Sequence, residues 1–149
     1  MSGEITLLVN PAAGRGRGGR AARPAARVLR EAGFRVRSVV GQDAPDALRR
    51  AEAAVARGPG AVVAVGGDGL VSLALRAVAG TATPLGIVAA GTGNDTARAC
   101  GLPTRDPGAA ASPPTCLSYP SDALAEQESA SFRGCTALHK INTWHSHLA

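Results

Sequence analysis

Aromatic residues, lysine and histidine are scarce in this chain, and their distribution divides it. Phe34 is the one aromatic residue within residues 1–106, because Tyr119, Phe132 and Trp144 all follow later. Lys140, the single lysine, and all three histidines also lie beyond residue 106. A core for residues 1–106 must therefore be built from Ala, Val, Leu and Ile, and a histidine general base is excluded from that part.

Long apolar runs are also missing. No stretch approaches the roughly 20 apolar residues that span a bilayer. The N-terminal residues carry no basic segment, and Asn10-Pro11 interrupts the first apolar run, so we predict no signal peptide. Cys100, Cys116 and Cys135 are odd in number and lack a Cys-x-x-Cys spacing, which indicates a reducing compartment. We expect a cytoplasmic protein whose contact with membranes is peripheral.

Positive charge is concentrated in the first part of the chain. Residues 1–106 contain 14 Arg against 8 Asp and Glu, a net charge of +6, whereas residues 107–149 carry −1. Such a charge could attract nucleic acid, an anionic membrane surface or phosphorylated ligands. The simpler interpretation is that most of these arginines lie on solvated helix faces.

Apolar periodicity predicts alternating strands and helices. Strands are expected at residues 4–9, 34–40, 61–65 and 85–89, and helices at 20–32, 43–57, 70–78 and 96–100. The alternation of apolar and basic residues in 34–40 suits a sheet edge, and the wholly apolar segment 61–65 suits a sheet centre. We therefore predict an α/β fold with an open, mostly parallel sheet and helices on both faces.

Three of the predicted strands are followed by glycine-containing loops, at residues 10–19, 66–69 and 91–95. In parallel sheets, ligands bind at the carboxyl ends of the strands. If the strands are parallel, all three loops lie on the same rim. The sequence therefore predicts one binding site assembled from three loops.

The middle loop, Gly66-Gly67-Asp68-Gly69, follows the apolar segment directly. Glycines allow a close backbone approach, and their N–H groups at a helix N-terminus form a natural phosphate cradle. A carboxylate in such a loop would repel phosphate unless a cation lies between them, which assigns Asp68 to Mg²⁺. The alternative is a turn in which Asp68 caps the following helix.

The last loop, Gly91-Thr92-Gly93-Asn94-Asp95, repeats this logic. Thr92 is the stronger candidate for a phosphate contact. Asn94 and Asp95 have side chains that also serve well as helix caps, so a structural role is an equal alternative for them.

The first loop combines glycines with two cations. Arg15 and Arg17 could clamp phosphates, or could simply be solvated. Its spacing of Gly14, Gly16 and Gly19 also matches Gly-x-Gly-x-x-Gly, which is typical of dinucleotide sites, but the acidic residue expected at the end of the second strand is missing. A Gly-x-x-x-x-Gly-Lys-[Ser/Thr] motif is also missing, which excludes a P-loop enzyme.

Residues 107–149 have a different character, with no sustained apolar period. We interpret them as an irregular tail, truncated or read in a shifted frame after a domain that spans residues 1–106. Four residues there are of the two types that commonly bind zinc, but their scatter makes a metal site a weak alternative; these residues are Cys135, His139, His145 and His147.

The motifs Asn-Pro-x-x-Gly, Gly-Gly-Asp-Gly and Gly-Thr-Gly-Asn-Asp, in this order, resemble the diacylglycerol kinase catalytic domain. The family includes sphingosine and bacterial diacylglycerol kinases, and its wider superfamily includes NAD kinases. The resemblance covers about residues 4–106. It implies the nucleotide-binding half of a lipid kinase that uses ATP and Mg²⁺. Family members continue into a β-rich second domain, which residues 107–149 cannot build.

The resemblance also implies roles for residues. The nucleotide contacts would come from the three loops, as a set comprising Asn10, Gly14, Arg15, Arg17, Gly66, Gly67, Asp68, Gly69, Thr92 and Asn94. Asp68 would be the catalytic and metal-binding residue, and Asp95 would lie near the lipid headgroup or the metal network. The sequence departs from the family pattern where Leu70 replaces a threonine and where Thr96 replaces a phenylalanine.

The resemblance thus implies transfer of a phosphoryl group from ATP to a lipid hydroxyl at a membrane surface. We expect no nucleic-acid partner, and a homo-oligomer stays open. The alternatives are a non-catalytic nucleotide-binding remnant and an NAD kinase-like enzyme with a soluble substrate. A dinucleotide oxidoreductase is a more distant one.

Overall fold

The computed structural model describes residues 3–95, 98, 116–118 and 136–138. Four parallel strands form the centre of its sheet, in the spatial order β2-β1-β3-β4. Their bounds are β1 (Glu4–Val9), β2 (Arg35–Val40), β3 (Ala61–Gly66) and β4 (Leu85–Ala89). All four agree with the predicted strands to within one residue, and the expected open, mostly parallel sheet is confirmed.

Two short strands extend the sheet beyond β4. Strand β5 (Cys116–Ser118) runs antiparallel to β4, and β6 (Thr136–Leu138) runs antiparallel to β5. Both lie in the segment that we expected to be irregular. The other residues of that segment lie outside the described part, so the irregular tail and the boundary near residue 106 stay predictions.

Burial explains the order of the strands. Every residue of β3 is buried, as a strand with neighbours on both sides and helices on both faces requires. Strand β2 has no buried residue and lies at the edge, as its mixture of apolar and basic residues predicted. In β1, Ile5, Leu7 and Leu8 are fully buried, and each contributes about 1.5–3 kcal/mol through loss of apolar contact with water.

Three helices cover the two faces of the sheet, as predicted. Helix α1 (Ala13–Glu31) packs on one face through Ala21, Ala25 and Leu29. Helices α2 (Ala44–Ala56) and α3 (Asp68–Val78) pack together on the other face. Small alanines at the contacts let the helices approach the sheet closely, which compensates for the shortage of large aromatic side chains.

Helix α1 differs from its prediction at the N-terminal end. We expected a loop up to Gly19 and a helix from Arg20, but helical structure already includes Arg17 and continues through Pro24. Only Gly14, Arg15 and Gly16 within this stretch are non-helical. The glycines obscured the start of the helix, because glycine normally disfavours helical structure. The short helix expected at 96–100 lies outside the described residues apart from Arg98.

Helix α2 begins at a well-defined cap. Asp43 accepts a hydrogen bond from the backbone N–H of Asp46 at 2.8 Å, and Asp46 accepts one from the backbone N–H of Gln42 at 2.9 Å. These reciprocal bonds satisfy two backbone donors and fix the chain at the end of β2.

Candidate functional site

The first side of the site is the junction after β1. The backbone N–H of Asn10 donates to the carbonyl of Val65 at 3.0 Å, which joins the ends of β1 and β3. The Asn10 side-chain oxygen accepts from the N–H of Ala12 at 3.2 Å. A Cβ built on Gly18 would lie 1.9 Å from the Asn10 carbonyl oxygen, so only glycine lets α1 approach this junction.

Three consecutive left-handed residues follow this junction, with φ of 57° at Gly14, 61° at Arg15 and 90° at Gly16. The Arg17 guanidinium supports this left-handed turn by donating from Nε to the Gly14 carbonyl at 3.1 Å. A Cβ on Gly14 would lie 2.2 Å from the Ala90 carbonyl oxygen. The turn is therefore pressed against the end of β4, and it leaves the Arg15 side chain exposed.

The second side of the site is the start of α3. Gly67 is the N-cap and Asp68 is the first helical residue, so the alternative that Asp68 itself caps the helix is not what the structure shows. Gly66 lies within β3 and is buried. A Cβ on Gly91 would lie 2.4 Å from the Gly67 Cα, so the loops after β3 and β4 touch through two glycines.

Two carboxylates lie where these loops meet. The backbone N–H of Asp95 donates to Oδ2 of Asp68 at 3.0 Å. A Cβ built on Gly93 would lie 3.1 Å from Asp68 Oδ2 and 3.8 Å from Asp95 Oδ2, so both carboxylates flank one small space. Arg98 forms an ion pair with Oδ1 of Asp95.

Asn94 shapes the last loop through its own side chain. It is buried, has φ of 55°, and exchanges two hydrogen bonds of 2.9 Å with the backbone N–H and carbonyl of Gly91. Its amide is therefore engaged inside the loop, in accordance with the structural alternative. Thr92 lies at the exposed tip of the same loop.

A pocket of about 300 Å³ opens beside Asn10. It lies between the end of β2 and the start of α3. Its lining residues are Val9, Asn10, Gly41, Gln42, Asp43, Ala44, Ala47, Gly69, Leu70 and Leu73. The pocket thus combines apolar side chains with polar groups from the ends of three elements, as small-molecule sites commonly do.

The structure brings the three predicted loops together on one rim. We did not predict from the sequence that Gly41, Gln42 and Asp43 line this pocket, although the sequence contained a signal for it. The end of β2 must lie on the same rim as the other strand ends, and Gly41 marks a tight approach there. A Cβ on Gly41 would lie 2.5 Å from the Ala47 Cα.

The rim suits a magnesium-bound nucleotide. Mg²⁺ is usually bound by one or two carboxylates together with substrate phosphates, and Asp68 with Asp95 offers such a pair. Glycines held too close for a Cβ present backbone instead of side chains, which phosphate cradles require. Within the described residues, no group of three or more His, Cys, Asp and Glu side chains could hold a metal ion by itself. A metal at this rim would therefore share its ligands with the phosphates.

Comparison with known proteins identifies the family. A model of the diacylglycerol kinase catalytic domain matches residues 4–115. The chain belongs to the diacylglycerol kinase catalytic domain family. The match includes all three loops and therefore confirms the resemblance on which the predicted site rests.

Individual relatives agree with this assignment. Diacylglycerol kinases from two strains of Mycobacterium tuberculosis, CDC 1551 and H37Rv, are each 52% identical over 109 residues, which is 73% of this chain and 35% of theirs. A diacylglycerol kinase structure from Bacillus anthracis str. Sterne is 26% identical, with a TM-score of 0.60 over 72% of this chain and 40% of that one. The chain thus spans about a third of the length of the two Mycobacterium tuberculosis relatives.

Proposed function

We propose that this chain forms the ATP-binding part of a lipid kinase that transfers a phosphoryl group to the hydroxyl of a diacylglycerol-like lipid. The observation that carries the proposal is the contact of three loops on one rim. Gly14 lies against Ala90, Gly91 lies against Gly67, and Asp95 donates to Asp68. Family membership supports the kinase class, and the similarity to diacylglycerol kinases supports the lipid acceptor.

Different residues would bind different parts of the nucleotide. The pocket beside Asn10 would take the base and ribose, because it is partly apolar and lies next to the glycine loops. The left-handed turn, Gly67, Gly69 and Thr92 would hold the phosphates through N–H and hydroxyl groups. The exposed Arg15 guanidinium would pair with phosphate oxygens.

The two carboxylates would hold Mg²⁺, which neutralises phosphate charge when bound. Phosphoryl transfer depends mainly on positioning and on electrostatic stabilisation, and these loops supply both for the donor. The Asp68 carboxylate is held in place by the Asp95 N–H, so it is oriented before any ligand arrives. Asp95 is the more exposed residue of this pair, so it is the one that an acceptor headgroup would meet.

The acceptor side is less complete. No described residue is placed as a base for a lipid hydroxyl, and histidine is absent from residues 1–106. We therefore expect this chain to bind Mg²⁺-ATP and expect lipid phosphorylation to require groups beyond the described residues. The described residues contain no helix that is both long enough and apolar enough to cross a membrane.

The test is to titrate the chain with ATP, with and without Mg²⁺, and then to assay phosphate transfer to diacylglycerol in vesicles. Mg²⁺-dependent ATP binding supports the proposal, and lipid phosphorylation extends it to catalysis. Binding with no turnover means that this chain by itself acts only as a nucleotide-binding part, and transfer to NAD instead of lipid indicates an NAD kinase-like enzyme. Binding of NAD(H) that ATP does not displace would overturn the proposal.

A further inference from the structure

The strongest unassigned charge feature is a row of arginines on the outer face of α1. Arg20, Arg23, Arg27 and Arg30 are all exposed and follow one another at intervals of three, four and three residues. That spacing places side chains on one face of a helix. The opposite face of α1 carries the alanines that pack on the sheet. We call these four residues the arginine row.

The charge of this row is poorly neutralised. Within the described part of the chain, one ion pair involves the row, between Arg27 and Glu31 at 3.8 Å, and both side chains are about 70% exposed. Such a pair is worth little in water. Arg20, Arg23 and Arg30 form no ion pair with a described carboxylate. The row therefore presents several available positive charges to an outside partner.

A surface pocket gives the row a place for an anionic group. This pocket, of about 500 Å³, lies between α1 and β2 and is lined by Ala22, Arg23, Ala26, Arg30 and Ser38. Two guanidinium groups and a hydroxyl are the donors that a phosphate diester prefers. At the other end of the row, Arg20 Nη1 lies 3.5 Å from a Cβ built on Gly16, so the row begins beside the left-handed turn.

We propose that the arginine row binds the surface of an anionic lipid bilayer, with a lipid phosphate between Arg23 and Arg30. The choice of a bilayer as the partner rests on the proposed lipid acceptor. The positive charge of this face does not depend on the proposed function. A straight row of cations on one helix suits a flat anionic surface. Single-stranded nucleic acid is a poorer match, because Phe34 is buried and no other described residue is aromatic, so no described aromatic side chain is available to stack on bases.

Binding through this row is electrostatic. Val40 is the one large apolar side chain that is exposed among the described residues, and it is only 47% exposed. Little apolar insertion can therefore contribute, and salt must release the protein from the membrane.

The experiment is sedimentation of the full chain with vesicles, without nucleotide. Vesicles that contain phosphatidylglycerol should bind the chain, vesicles of phosphatidylcholine alone should not, and about 0.5 M salt should abolish binding. The double variant R23Q/R30Q should weaken binding by about 10- to 30-fold, because each basic residue near an anionic surface contributes about fivefold. The matched control R57Q/R76Q removes two exposed arginines at the C-terminal ends of α2 and α3 on the other face, and should bind as the wild type does.

Three results would overturn the proposal: equal losses in both double variants, equal binding to both kinds of vesicle, or tighter binding to duplex DNA than to anionic vesicles at physiological salt. Circular dichroism checks that each variant is folded. The affinity for Mg²⁺-ATP should be unchanged in R23Q/R30Q, because neither residue lies in the three loops. Loss of vesicle binding and loss of nucleotide binding can therefore be told apart.

Discussion

The backbone N–H of Asp95 donates a hydrogen bond to Oδ2 of Asp68 at 3.0 Å, across 27 positions of the sequence. This bond joins the start of α3 to the loop after β4. It also fixes one oxygen of the carboxylate that we assign to Mg²⁺. Loop assembly and the Mg²⁺ binding that we propose are therefore coupled at one side chain, and suitable variants can separate them.

Asp68→Asn should separate the two roles. The amide oxygen of the substituted side chain can still accept from the Asp95 N–H, so the fold should persist, but the charge for Mg²⁺ is lost. We expect the affinity for ATP in the presence of Mg²⁺ to fall about tenfold or more, which corresponds to about 1.4 kcal/mol. Calorimetric titration with ATP, in Mg²⁺ and in EDTA, measures the effect.

The control for this variant is Glu52→Gln, which removes one charge from an exposed position on α2. It should leave nucleotide binding unchanged. If Asp68→Asn binds ATP as tightly as the wild type in Mg²⁺, Asp68 is not the metal-binding residue. The assignment is supported if Asp68→Asn binds ATP as tightly as the wild type does in EDTA but no more tightly when Mg²⁺ is added.

Gly91→Ala should disrupt the contact between two loops. The added Cβ would lie 2.4 Å from the Gly67 Cα and 3.1 Å from the Asn94 side-chain oxygen, so backbone must move. We expect the free energy of unfolding to fall by about 1–3 kcal/mol, as in other overpacked sites. Urea denaturation measures this change.

Gly69→Ala is the matched control, because a Cβ there meets no described atom within 4 Å. Since Gly69 lies in α3, alanine should raise the free energy of unfolding by up to about 1 kcal/mol. The two substitutions add the same methyl group and should act in opposite directions. If both substitutions change the free energy of unfolding by the same amount, the loops that touch at Gly91 and Gly67 can move apart without loss of stability.

The sequence predicted much of this architecture because its signals were local. The strand ends, the edge position of β2 and the meeting of three glycine loops all follow from apolar pattern and strand direction. The left-handed turn within α1 was missed, because neither the glycines nor Pro24 reveals where helical structure resumes. The sequence did not decide whether the Asn94 side chain bonds within its own loop or contacts a ligand, because asparagine suits both roles. Which carboxylate accepts which N–H depends on tertiary contacts alone.

Thr6→Val should stabilise the protein. Thr6 lies in β1 and is 1% exposed, and its hydroxyl has no hydrogen-bond partner among the described residues. Valine has nearly the same shape and removes the unsatisfied polar group, so the free energy of unfolding should rise by about 1–2 kcal/mol. Thr6→Ser keeps the hydroxyl and loses the methyl group, so it should destabilise. A stabilising Thr6→Ser in urea denaturation would contradict this interpretation.

Asp46 should make stability depend on pH. The backbone N–H of Gln42, and next the Arg50 guanidinium, lower the pKa of Asp46 below its ordinary value of 3.8. Because the folded-state pKa is the lower one, the contribution of Asp46 is present above 3.8 and is lost as the pH falls through the folded-state pKa. Asp46→Asn should therefore be less stable than the wild type at neutral pH, and the difference should narrow in acid.

Urea denaturation over a pH series measures that difference, with Glu52→Gln as the control on the same helix. Glu52 forms no hydrogen bond or ion pair with a described residue, so its substitution should change the free energy of unfolding little. A difference for Asp46→Asn that stays constant into acid would show that hydrogen-bond geometry, not charge, is responsible.

Arg15 and Asn94 are the two described non-glycine residues with positive φ, at 61° and 55°, and they should respond oppositely to glycine. The left-handed conformation costs a non-glycine residue about 1–2 kcal/mol. Arg15 is exposed, and no described hydrogen bond of its side chain offsets that cost. Arg15→Gly should therefore raise the free energy of unfolding by about 1 kcal/mol while it weakens ATP binding, because a phosphate-binding cation is removed.

In Asn94→Gly the relief of strain is smaller, because asparagine tolerates the left-handed conformation, and it is outweighed by the loss of two buried hydrogen bonds with Gly91. We expect a lower free energy of unfolding together with weaker ATP binding. Urea denaturation and nucleotide titration are measured on both variants, and the two results for Arg15→Gly are the decisive ones. A more stable protein that binds ATP less tightly means that strain is retained at Arg15 for the ligand, whereas unchanged ATP affinity would remove Arg15 from the site.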